Sequence, residues 1–77
     1  MANALAIQVE ETLRPIIGTV LATVSVDVES HRIGKTPDTI EYSDLPRIAD
    51  NLIAALHLVV GQEMADAAAR KVRDLHH

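Results

Sequence analysis

The sequence predicts an all-α domain: a small helical bundle built from two helix-glycine-helix units, joined by a polar linker and completed by oligomerisation. Three observations carry that expectation. Aliphatic residues recur at steps of three and four through both halves, Phe, Trp and Cys are absent, and a single turn-rich segment divides the chain. Leu, Ile, Val, Ala and Met must then fill the core, a palette that suits helices packed side by side.

In the first half, Leu5, Val9, Leu13, Ile16, Ile17, Val20, Leu21, Val24 and Val28 hold helical spacing. Glu10 and Arg14 are placed for an i,i+4 pair on the opposite face. Pro15 lacks an amide hydrogen, so a break or kink is expected near Arg14. Val24, Val26 and Val28 also alternate with Ser25, Asp27 and Glu29, which is the period of a strand. A strand needs a partner, however, and no second segment alternates convincingly. The expectation is therefore helix, with Val24 and Val28 facing the core.

The linker spans 32–43, between units 3–31 and 44–75. Gly34 can close the preceding helix in a left-handed conformation, and Pro37 pushes Thr36 out of the helical region. A new helix is expected near Leu45, with Ser43 or Asp44 accepting first-turn amide hydrogens and Pro46 needing no acceptor there. Leu45, Ile48, Leu52, Leu56, Val59 and Val60 line one face of it, which Ile53 and Ala55 widen. After Gly61, the residues Met64, Ala67, Ala68, Val72 and Leu75 continue the pattern. Arg70, Lys71 and Arg73 suit the negative end of the helix dipole. The expected packing and oligomer face combines Leu13, Ile17 and Leu21 with Leu45, Ile48, Leu52, Leu56, Val59, Val60 and Met64, and Leu52, Leu56 and Val60 form its central stripe.

A shift of forty-three positions lays Leu5-Ala6 on Ile48-Ala49, Val9 on Leu52, Leu13 on Leu56, and Ile16-Ile17-Gly18 on Val59-Val60-Gly61. Leu21-Ala22 then falls on Met64-Ala65. An internal repeat of this kind predicts that Gly18 and Gly61 both occupy helix junctions of related geometry. Two aliphatic helices also align through composition alone, so the backbone has to decide.

Charge and composition narrow the function. Seven Lys and Arg against eleven Asp and Glu leave a net charge of -4, which repels phosphate backbones, and one Tyr offers no stacking platform. No nucleic acid is expected as a partner. Polar residues interrupt every apolar run well short of the ~20 residues a span requires, so no membrane partner is expected either. No basic segment precedes an apolar run at the N-terminus, which predicts a cytoplasmic protein. Without Cys there is neither a disulfide nor a Cys-based zinc site.

No residues form a catalytic set. His31, His57, Glu10, Glu11, Glu63 and Asp66 are the candidates, and none belongs to a known constellation. His57 flanks the apolar stripe and reads as a boundary residue, while His31 suits a helix C-terminus. No Glu stands three residues before a His, as a di-metal bundle would need. Gly34-Lys35-Thr36 lacks the first Gly of a phosphate-binding loop. No catalytic, cofactor or metal residue is assigned, and His76 and His77 are set aside from the functional reading.

A chain of 77 residues builds a core worth only a few kcal/mol, and association is the common supplement. The expected function is that of a non-enzymatic interaction or regulatory module acting through homo-oligomerisation, with a dimer favoured, and through partner binding by an aliphatic face. The alternatives are a small-molecule-sensing bundle with an apolar ligand cavity and, behind it, an enzyme centred on His57.

Overall fold

Four helices in a computed structural model account for most of residues 2–75, the part of the chain the structure describes. They are α1 (Ala4–Ile17), α2 (Thr19–Arg32), α3 (Leu45–Val60) and α4 (Gln62–Arg73), with one 3-10 turn at Tyr42–Asp44 ahead of α3. No strand occurs among the described residues, so the alternation at Val24–Val28 lies within a helix. His76 and His77 lie outside the described residues.

Asn3 starts α1 and ties it to the linker. Its side-chain oxygen accepts the Ala6 amide at 2.8 Å, as an N-cap does. Its Nδ2 donates to the carbonyls of Asp38 and Ile40, and its backbone N–H donates to Pro37. Tyr42 Oη adds a second tie by donating to Gln8 Oε1 at 3.0 Å.

The break expected near Arg14 does not occur. α1 continues through Pro15 to Ile17. The proline sits in the last turn and on the exposed side, as does Glu11, so the Glu11 carbonyl that loses its donor lies where water reaches it. Nor do Glu10 and Arg14 form their expected ion pair, although their spacing allows one; Arg14 is exposed and Glu10 half-buried.

Gly18 separates α1 from α2 as a single residue at φ 84° and ψ 165°, and Gly61 separates α3 from α4 at φ 88° and ψ 164°. The bonds around them also correspond. Gly18 N–H donates to Arg14 and its carbonyl accepts from Ala22, while Gly61 N–H donates to His57 and its carbonyl accepts from Ala65. α2 ends in a Schellman motif: Gly34 has φ 79°, its N–H donates to His31, and the Lys35 N–H donates to Ser30.

α3 begins at Leu45 with Pro46 in its first turn, but the Asp44 side chain does not cap it. That carboxylate accepts the Glu41 amide at 2.9 Å, Lys35 Nζ at 2.7 Å and an Arg47 guanidinium N–H at 3.1 Å. It is a buried knot that fastens the linker to α3, and these three donors leave the α3 amides without it.

The core joins Leu5, Val9 and Leu13 of α1 to Leu45, Ile48, Leu52 and Leu56 of α3, with Ala65, Ala68 and Val72 of α4 behind them. Small residues on α4 allow its backbone to approach α3 closely. Of the expected packing face, Ile17, Leu21 and Val60 are half-buried, while Val59 and Met64 lie on the outside of the single chain. Val59 is in the last turn of α3 and points away from the core, against which its neighbour Val60 packs.

One orientation differs from the sequence expectation. Val24 and Val28 face outward, and α2 buries Ala22, Ser25, Val26, Glu29 and Ser30 instead. Both stripes have helical spacing, and the Gly18 junction turns the stripe containing Ala22 and Ser25, the smaller side chains, toward its neighbours.

Candidate interaction surface

α2 carries its chemistry inside out. Val20, Val24 and Val28, at i, i+4 and i+8, are 78%, 48% and 42% exposed, whereas the Glu29 side chain is 1% exposed. The corresponding inward positions of α4, forty-three residues on, are Ala68 for Ser25, Ala69 for Val26 and Val72 for Glu29, all buried. The fold therefore accepts apolar residues where α2 holds Ser25 and Glu29, whereas Ser30 corresponds to the exposed Arg73.

Glu29 was not among the residues singled out from the sequence. Arg32 Nε lies 3.1 Å from its Oε1, close enough to pair charges but not aligned as a hydrogen bond, and Oε1 accepts none from any described residue. Burial pushes the Glu29 carboxyl above its usual range, against the opposing pull of Arg32. Ser30 turns its hydroxyl back onto the Val26 carbonyl at 2.6 Å. The alignment of Glu29 with Val72 was the signal that could have marked this position.

Beside the valine stripe runs an open groove of about 500 Å³ between α1, α2 and the linker, lined by Ala2, Glu10, Thr23, Val24, Asp27, Pro37 and Asp38. Among the described residues its charged lining is Glu10, Asp27 and Asp38, all acidic. A second groove, over Asn3–Leu5 and Ile40–Ser43, follows the tie between the N-terminus and the linker. Both are surface hollows and neither lies among the core leucines of α3. Leu58, 92% exposed, and Val59 stand apart at the far end of α3.

The two internal histidines are both exposed. His31 Nδ1 lies 2.9 Å from the Asp27 carbonyl and 3.7 Å from its carboxylate, within its own helix. The His57 side chain has no hydrogen-bond or ion-pair partner among the described residues, and no three His, Asp or Glu side chains among them are grouped to hold a metal ion. The structure gathers none of Glu10, Glu11, His57, Glu63 and Asp66 into a water-excluding pocket. Among the described residues no helix is long and apolar enough to cross a membrane.

The fold defines the molecule as a small all-α bundle whose most distinctive surface is a helix with its valines outward. Compared with known proteins, the chain matches no family model, no curated protein and no solved structure.

Proposed function

We propose that this chain is a non-enzymatic interaction module that works by covering the outer face of α2, in the first instance with a second copy of itself, the smallest assembly being a dimer. The observation that carries this reading is the inversion of α2: three valines face water while Ser25, Glu29 and Ser30 face the bundle. Apolar burial contributes about 25 cal/mol per Å², so a helix that turns valines outward and a carboxylate inward forgoes stability in the isolated chain. A covered α2 recovers the valine part of it.

The corresponding outward positions of α4 support the same reading. Glu63, Ala67 and Lys71 stand where α2 has Val20, Val24 and Val28. The fold leaves those positions free to be polar, so the valines on α2 serve something outside the chain. Such a module regulates by association, and we place it in the cytoplasm. Single polar substitutions on the stripe, Val20→Lys or Val28→Lys, test this: both leave the helical fold intact and weaken self-association. Unchanged association in both variants overturns the assignment of the face.

A further inference from the structure

We infer that the covering surface is the outer face of α4 of a second copy, with Arg70 and Lys71 seated over the acid-lined groove between α1 and α2. The inference rests on the self-association proposed above and specifies which two surfaces meet.

Glu10, Val24 and Asp27 share the groove on the first unit. Forty-three residues on, the corresponding positions of the second unit are Ile53, Ala67 and Arg70. The same place therefore carries an acid on one unit and a cation on the other, and a larger side chain on one where the other has alanine. Two such faces complement each other in charge and in relief, whereas either face set against its own copy brings like charges together.

The cations on α4 are available for this. Lys35 and Arg47 pair with Asp44, Arg32 with Glu29 and Arg73 with Asp50. Arg70 and Lys71 are exposed and have no carboxylate within ion-pair distance among the described residues. They lie opposite the buried Ala65, Ala68, Ala69 and Val72, on the side of α4 that also exposes Met64. Glu63 is on this side too, but about two turns away at the start of the helix, and Asp66 is half-buried. Met64 supplies the apolar contact for the Val24 side of the groove, and the two cations supply the charge.

Sedimentation velocity on the full chain tests this with charge reversals at the half-buried Glu10 and the exposed Asp27, Arg70 and Lys71. Glu10→Lys/Asp27→Lys destroys the acidic face and Arg70→Glu/Lys71→Glu the basic one, and each variant alone is expected to weaken self-association at least roughly tenfold. Glu11→Lys, on exposed α1 surface outside the groove, leaves association unchanged. An equimolar mixture of the two double variants regains association, because the acidic groove of one component meets the basic α4 face of the other. A mixture that stays monomeric overturns the inference, and so does equal weakening by Glu11→Lys. If the wild-type chain associates and the reversals leave it unaffected while Val20→Lys disrupts it, self-association stands and the α4 surface is wrong. A wild-type chain that never associates removes both.

Discussion

Gly18 and Gly61, separated by forty-three residues, hold the same backbone conformation to within a few degrees and make the same pair of bonds to the residues four before and four after. Their φ and ψ fall in a region that is essentially confined to glycine. A Cβ at either position meets no atom within 4 Å, so the cost of a side chain there is backbone strain alone. Gly18→Ala and Gly61→Ala are each expected to lower stability by about 1–3 kcal/mol and by similar amounts. Urea denaturation checks this, and two neutral substitutions would show that neither junction depends on glycine.

Leu56 is buried between α3 and its neighbours, and truncation there leaves a cavity in a chain with little stability in reserve. Leu56→Ala should cost about 2–5 kcal/mol and unfold or nearly unfold the domain. Glu10→Ala should scarcely change stability, because the expected pair with Arg14 is not formed. Equal thermal shifts from the two variants would contradict the observed facing of α1 and α3.

Asn3 makes a cap and two linker bonds through one side chain. Asn3→Ala should cost about 1–2 kcal/mol and increase amide exchange at Ala6. Exchange in the middle of α3 should change only in step with global stability. Local protection at Ala6 that is unchanged by the substitution would mean that the cap contributes nothing in solution.

Two buried carboxyls give opposite pH dependences. At Asp44 burial disfavours the charge, but bonds from Lys35, the Glu41 amide and Arg47 outweigh it and hold the carboxyl below its ordinary value of 3.8. The stabilisation from Asp44 is present above the unfolded value and is lost as pH falls through the lower folded one. Glu29 is the reverse. Its carboxyl is raised above 4.5, chiefly by burial, so the folded state binds the proton more readily and stability rises as pH falls through the folded value toward 4.5. A stability maximum in mildly acidic solution follows. Glu29→Gln should stabilise the protein at neutral pH and remove the rise on acidification, while Asp44→Asn should remove the acid-side loss. A Glu29→Gln variant that is less stable at neutral pH would show that the charge is better accommodated than its surroundings imply.

The helices and the leucine stripe of α3 were legible because a strong 3.6-residue period over sixteen residues leaves one face to bury. The facing of α2 was not. Val20, Val24 and Val28 share helical spacing with Ala22, Ser25, Val26 and Glu29, and hydrophobicity alone selects the valines; the choice is made by how Gly18 directs the helix against its neighbours. Capping is the local use of a serine or aspartate before a helix, which is why Ser43 or Asp44 is the expected cap; Asp44 instead binds donors of the linker and α3. Its actual donors, Lys35 and Arg47, lie on either side of it, and Lys35 arrives only through the course of the linker. The bonds from Asn3 to Asp38 and Ile40 span more than thirty residues and leave no periodic trace in the sequence.

The central claim is that the outer face of α2 is covered by a second copy, and sedimentation velocity of the wild-type chain across a range from micromolar to near-millimolar concentration tests it most directly. The expected sedimentation coefficient rises with concentration, and a Val20→Lys variant stays helical and remains at the monomer value. A wild-type chain that sediments as a monomer throughout would contradict it.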